Sequence, residues 1–214
     1  MARNKYFILG ILLVLLSCVM FFTINLKYYQ EIKEKEIVFD EYIEAITLPK
    51  EKQEKTNKKN IPYLGYIEIP QYKIKNLITK KEIFNTNTVW MIKGSSSLEE
   101  KTGNVLLAGH NNPYVFSNLL KIKPGTVIKI VLPKTIQEYK VVKTDTIDSN
   151  NFSYFKEENK ERKLTLITCV KNNKKRFIVI AKCNICWYNN LSYQKEKMRK
   201  REWHARYRKI NYFR

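Results

Sequence analysis

The stretch KLTLITCVKNNKKRFIVIAKC, Lys163 to Cys183, sets two apolar runs on either side of a six-residue polar turn. The first run is rich in β-branched residues and ends in a cysteine; the second opens with an arginine. Two strand-like runs joined by so short a turn predict a hairpin, with Cys169 and Arg176 as neighbours across the sheet. Working outward, YLGYIEI, VWMI, NVLLAGH, TVIKIVL and EYKVVKTDTI repeat the pattern of short β-branched and aromatic runs, many of them alternating. Pro70, Gly94, Gly103, Pro124–Gly125, Pro133 and the run from Ser149 to Asn151 punctuate them. Seven short strands with little helical pattern between them predict an all-β barrel or sandwich beginning near Ile61. PYVFSNLLKI, after His110, has room for a short helix, and the β-pattern is expected to end after Lys182.

The N-terminus has a different character. Tyr6 to Leu26 is a run of 21 residues without a charge. As a helix rising about 1.5 Å per residue, it spans the roughly 30 Å hydrocarbon layer of a bilayer. Arg3 and Lys5 precede it with no acid, whereas lysines and glutamates mix after it, so the positive-inside rule favours a cytoplasmic N-terminus and an exported body. A cleaved signal peptide is the competing reading, but no A-x-A-like site follows the run. Lipid modification of Cys18 fits less well, because the apolar run continues past it. Residues 27–47 read as a helix with Tyr28, Ile32, Phe39, Ile43 and Ile46 near one face, stopped by Pro49. KEKQEKTNKKN, Lys50 to Asn60, has no apolar residue and reads as a linker. The expected organisation is a cytoplasmic N-terminus (1–5), a transmembrane anchor (6–26), a helical stalk and linker (27–60), a β-barrel (61–183) and a basic aromatic tail (184–214).

Composition agrees with a folded body: 44% of the residues are hydrophobic and 13% aromatic, enough for a packed core. Forty Lys and Arg against 20 acids leave a net charge of +20, which asks for an anionic partner. In the tail, nine Lys or Arg stand against Glu196 and Glu202, interleaved with Trp187, Tyr188, Trp203, Tyr207 and Phe213. Such a segment suits nucleic acid, anionic lipid or a wall polymer, and equally a solvated tail without a partner. An exported body disfavours nucleic acid.

Four cysteines in 214 residues do not make a disulfide framework. Cys183 and Cys186 form one C-x-x-C; zinc would need two more ligands with only His204 nearby, and a redox pair would need a βαβ setting that is missing. Small residues near a strand end are the simpler reading. Cys169 is different. A thiol becomes a nucleophile when positive charge or a histidine holds it as thiolate. Of the two histidines, His204 sits in the charged tail, while His110 ends the run NVLLAG as Cys169 ends LTLIT. A dyad, if the chain has one, pairs Cys169 with His110. Arg176 would then supply a fixed fork of donors to the oxyanion of acyl transfer. Spacing alone leaves a second reading open for each: a structural cysteine, a turn histidine and an edge charge.

Three segments bear on that choice. TLITC (Thr165–Cys169) resembles the T-L-x-T-C signature of the sortases, membrane-anchored cysteine transpeptidases of Gram-positive bacteria. GNVLLAGH (Gly103–His110) is similar to the segment ending in the sortase histidine, and RFIVIAK (Arg176–Lys182) to the strand opening with the sortase arginine. The resemblance covers roughly residues 61–183, in the right order and behind an anchor. It implies a closed eight-stranded β-barrel with Cys169 as nucleophile, His110 as acid and base, and Arg176 stabilising substrate and oxyanion. It implies secreted substrate proteins with a C-terminal sorting motif, LPxTG-like or NPxTN-like, and an amine of a cell-wall precursor as acceptor. No metal or organic cofactor is implied; some relatives respond to calcium, but nothing marks a calcium site here. Some features depart from the family pattern, among them the basic C-terminal tail, which is not a standard family feature. The turn between Cys169 and Arg176 is short where several classes have a longer loop, and no Asp-Pro-aromatic lid precedes the barrel. The alternatives carried forward are a thiol peptidase or hydrolase, with water replacing the amine, and a non-enzymatic, anchored polymer-binding module.

Overall fold

A computed structural model describes residues 2–47, 62–83, 87–155, 161–170 and 174–189. The chain divides into two compact units, residues 1–44 and 45–214. The first is formed by α1 (Ala2–Thr47), one continuous helix in which the apolar run and the amphipathic segment after it join without a break. Its apolar part is long enough to cross a membrane. The polar side chains within that part bond their own backbone: Ser17 Oγ donates to the Val14 carbonyl at 2.8 Å, Thr23 Oγ1 to Met20 at 2.9 Å and Asn25 Nδ2 to Phe21 at 2.7 Å. Hydrocarbon offers no other partner, so these bonds lower the cost of the polar groups there. The linker expected over 50–60 and the tail beyond Asn189 lie outside the described residues.

The second unit is a closed barrel of β1 (Tyr63–Ile69), β2 (Ile74–Thr79), β3 (Val89–Met91), β4 (Gly103–Ala108), β5 (Val127–Val131), β6 (Thr135–Asp148), β7 (Arg162–Val170) and β8 (Lys175–Asn189). The order around it is β1-β2-β3-β4-β7-β8-β6-β5, closed by β1 against β5. The β2–β3 and β4–β7 pairs are parallel and the others antiparallel. All the runs read as strands are strands, and PYVFSNLLKI holds a short 3-10 helix, Ser117–Lys121.

Two readings are corrected. β2, sequence IKNLIT, did not stand out, because lysine and asparagine interrupt its apolar alternation; Asn76 is nonetheless fully buried and its Nδ2 donates to the Val115 carbonyl at 3.1 Å. The β-pattern also does not end after Lys182. β8 runs on to Asn189 because the 14-residue β6 gives it a partner throughout, with Ile136 opposite Tyr188 and Thr135 opposite Asn189.

Alternation of side chains sorts each strand into two faces. Val105 and Leu107 of β4, Leu164 and Leu166 of β7, and Val179 and Ala181 of β8 belong to the barrel core. The alternate residues Ile167 and Ile178, with Ile147 of β6, form a second, smaller cluster on the other face. Among the described residues, the buried polar side chains of the barrel include one charge. Arg162 is 4% exposed, and its guanidinium donates to Tyr139 Oη at 3.1 Å, the Thr102 carbonyl at 3.0 Å and the Ser97 carbonyl at 2.8 Å. Tyr139 Oη in turn donates to Gln137 Oε1 at 2.6 Å, and Gln137 Nε2 to the Leu98 carbonyl at 2.6 Å. Burial pushes the Tyr139 phenol above its usual 10.0, with Arg162 pulling the other way. This buried chain of bonds ties the segment before β4 to the start of β7.

Candidate active site

Cys169 and Arg176 are direct partners across the antiparallel β7–β8 pair, as Val170 and Lys175 are next to the turn. Opposed residues of such a pair point to the same face, with Cα atoms about 4.5–5.5 Å apart. That face is the one carrying Ile167 and Ile178, which are themselves partners. Cys169 is partly exposed and its thiol is free. The Arg176 side chain lies along the strand end, with Nη1 3.3 Å from the Lys175 carbonyl.

The histidine arrives from the other side of β7. β4 runs parallel to β7, with Ala108 level with Ile167. The pairing continues past the last β4 residue: Gly109 N donates to the Ile167 carbonyl at 3.1 Å, and Thr168 Oγ1 to the Gly109 carbonyl at 2.8 Å. The next residue is His110, and the same register carried past Gly109 leads it toward the Cys169 end of β7. Being two residues past Ala108, it belongs to the Cys169 face. β7 is therefore flanked at its end by His110 on one neighbour and Arg176 on the other. All three residues expected from the sequence come to one end of three adjacent strands.

The backbone around His110 is held closely. Phe116 N donates to the His110 carbonyl at 3.1 Å, and Asn112 Oδ1 accepts from the N–H groups of Tyr114 and Val115 at 3.0 and 2.9 Å. Gly109 makes room for this turn, because a Cβ there would stand 2.6 Å from Phe116 Cδ2 and 2.8 Å from Val115 Cγ1. Trp90 and Glu82 meet the imidazole. Trp90 of β3, level with Ala108, lies against it with ring centroids 5.0 Å apart at 54°. Glu82, in the β2–β3 connection, places Oε1 3.1 Å from His110 Nε2. Sequence reasoning took Trp90 only as part of a strand and passed over Glu82, since nothing in KKEIF marks a glutamate that meets a histidine 28 positions on.

Beyond the thiol, Ile147, Ile167 and Ile178 make an apolar strip on the same face, packed by Ile92, Tyr154 and Phe155. The short 3-10 turn Ser153–Phe155 of the β6–β7 connection carries the two aromatics. Tyr154 fixes that turn twice: its carbonyl accepts from Asn104 Nδ2 at 3.1 Å, and its hydroxyl donates to Asp145 Oδ2 at 2.6 Å. Asn104 is itself held by Thr165 Oγ1 at 2.9 Å. The Tyr154 hydroxyl, then Lys143 and the Thr146 N–H, hold the Asp145 carboxyl below its ordinary 3.8. The arrangement is a partly exposed thiol with a histidine and an arginine on either side, at one end of a walled apolar strip.

Cys183 is disulfide-bonded and packs against the barrel core, so it offers neither a free nucleophile nor a zinc ligand. Among the described residues, no group of three or more His, Cys, Asp or Glu is placed to hold a metal ion.

A family model described as the sortase domain matches residues 61–184. Solved structures share the fold. A sortase D5 transpeptidase of Clostridium perfringens superposes with a TM-score of 0.58 at 24% identity, over 70% of this chain and 97% of that one. Sortase A of Listeria monocytogenes gives 0.52 at 27% identity, over 57% and 88%. Sortase C of Streptococcus pneumoniae gives 0.52 at 26%, over 61% and 71%. No curated protein sequence matches the chain at a significant level. With the family model matching more than half of the chain, the chain belongs to the sortase family of cysteine transpeptidases.

Proposed function

We propose that the protein joins secreted proteins to a cell-wall amine through a thioester on Cys169. The observation that supports this is the register at the barrel rim: Cys169 opposite Arg176 across β7–β8, with His110 two residues past the end of β4, the strand paired with β7 on its other side. The Cys169 thiolate attacks the backbone carbonyl carbon of a C-terminal sorting motif, and the carbonyl oxygen becomes an oxyanion. Arg176, always charged and rigid in its donor geometry, stabilises that oxygen. The C–N bond then breaks, its electron pair stays on nitrogen, and His110 gives the leaving amine a proton. An incoming amine attacks the thioester, His110 takes its proton, and the thiolate leaves.

The helix α1 anchors the enzyme in the membrane, with Arg3 and Lys5 on the cytoplasmic side and the barrel outside. The tail beyond residue 184 carries a net +7 and binds anionic lipid or wall polymer as an accessory contact. The deciding experiment incubates the full chain in detergent with a panel of sorting peptides, with and without amines such as triglycine. Amine-dependent ligation product that disappears in Cys169→Ala supports the reading. Release of peptide acid at the same rate with and without amine would make the protein a thiol hydrolase instead.

A further inference from the structure

We propose that Glu82 is a positioning residue for His110: its carboxylate holds the Nε2 proton, so that Nδ1 is the nitrogen that takes up and returns the proton of acyl transfer. The inference deepens the reading above and rests on it. The Oε1–Nε2 separation of 3.1 Å is within hydrogen-bond reach. An ionised carboxylate only accepts, so an imidazole bonded to it through Nε2 must carry its proton there, in the neutral ring as in the charged one. One nitrogen is thereby committed and the other becomes the exchanging site, which is the tautomer control a base needs from its orienting partner.

The surroundings make this contact part of the fold. Glu82 lies three residues past β2, and the chain's exit from that strand is fixed by the buried Thr79, whose Oγ1 donates to the Lys81 carbonyl at 2.8 Å and lies 3.3 Å from the Val89 carbonyl at the start of β3. The His110 backbone is fixed by the Phe116 N–H, and its ring by Trp90. Both partners of the ion pair therefore hang from bonded backbone, so the contact orders little new chain. Among the described residues, Glu82 from the β2–β3 connection is the charged group in contact with the ring, and Cys169 and Arg176 lie at the same end of the neighbouring β7 and β8. In the first half-reaction, the Nδ1 proton passes to the leaving amine and leaves a neutral ring with Nε2–H still on Glu82. In the second, the attacking amine returns a proton to Nδ1. No proton moves to the carboxylate in either step.

The pair is half exposed, so the expected effect is about tenfold on kcat, a fraction of the 10²–10⁴ that a general acid–base group contributes as a whole. The full chain in detergent is assayed for peptide transfer to triglycine as the parent, Glu82→Ala and Glu82→Gln. Glu82→Ala should lose about tenfold in kcat with KM within twofold. Glu82→Gln, whose amide oxygen can still accept from Nε2, should recover most of it. The second readout needs no activity. In Cys169→Ala protein with nitrogen-labelled histidine at pH 8.5, long-range proton–nitrogen spectra report each ring's tautomer, and a His204→Gln variant identifies the His110 signals. A single Nε2–H tautomer in the parent ring, joined by the Nδ1–H form in Glu82→Ala, supports the proposal. Mixed tautomers in the parent, an unchanged ring in Glu82→Ala, or full kcat in Glu82→Ala would overturn it. A parent inactive on every peptide, yet with its tautomer dependent on Glu82, would overturn the transpeptidase reading and uphold the proton's placement.

Discussion

Gly109→Ala puts the smallest possible side chain beside the proposed acid–base residue. Its Cβ would stand 2.6 Å from Phe116 Cδ2, 2.9 Å from Phe116 Cε2 and 2.8 Å from Val115 Cγ1. Carbon atoms prefer about 3.5–4.0 Å, so something must shift by roughly 1 Å. Phe116 is fully buried and Val115 nearly so, both inside the core cluster, and a packed interior yields poorly. The backbone at Gly109 and His110 gives way instead, straining the bonds from Gly109 N to Ile167, Thr168 Oγ1 to Gly109 and Phe116 N to His110. Overpacking of this kind costs about 1–3 kcal/mol, which for a unit of this size lowers Tm by roughly 2–10 °C. The effect on catalysis is expected to be larger, because a displacement near 1 Å of a reacting group can cost about 10²-fold. Thermal unfolding and peptide transfer, measured on the same detergent-solubilised preparation, separate the two. The expected result is a protein folded at the assay temperature whose kcat/KM has fallen about 10²-fold. A variant with lowered Tm and parental kcat/KM would refute the reasoning, since it would show that transfer does not depend on where the β4 end places His110.

Three further outcomes follow from the same geometry. Arg176→Lys keeps the charge but loses the planar donor fork, and should lower kcat at least tenfold in the peptide-transfer assay while Tm stays within about 2 °C. Arg162→Met removes a buried guanidinium, takes its donor from the Thr102 carbonyl and leaves the Ser97 carbonyl the longer bond from Glu100 N; about 2–4 kcal/mol should be lost, read by denaturant unfolding. Tyr154→Phe removes the bond that contributes most to depressing the Asp145 carboxyl. A depressed carboxyl contributes stability that is complete above its unfolded value, near 3.8, and is lost as pH falls through the lower folded value. The stability difference between parent and Tyr154→Phe should therefore be constant above about pH 4 and shrink on acidification below it, followed by urea unfolding at a series of pH values.

The hairpin that opens the sequence reading is the part of the site most legible in one dimension. A six-residue turn between two alternating runs leaves little freedom in register, and Cys169 and Arg176 are partners as expected. His110 is legible by a different route: of the two histidines, it is the one that closes an apolar run in the sequence. What brings it beside Cys169 is the parallel β4–β7 pair, a contact between segments some 60 residues apart that no local pattern encodes. β2 is hard to see in the sequence because its buried Asn76 is stabilised by donating to the Val115 carbonyl in the turn after His110, which makes a polar residue an interior one. Glu82 and Tyr154 were unreadable for the same reason. Each acts from a connection between strands, and its partner is set by how the barrel closes.

The central claim is that Cys169 carries the acyl group. Full-chain protein in detergent, incubated with a sorting peptide in the absence of amine, acid-quenched and digested, can be followed by mass spectrometry. An adduct equal in mass to the peptide's N-terminal fragment is expected on the tryptic segment containing Cys169, and it should disappear when triglycine is added. An adduct on another residue, or transfer to triglycine by the Cys169→Ala protein, would contradict it.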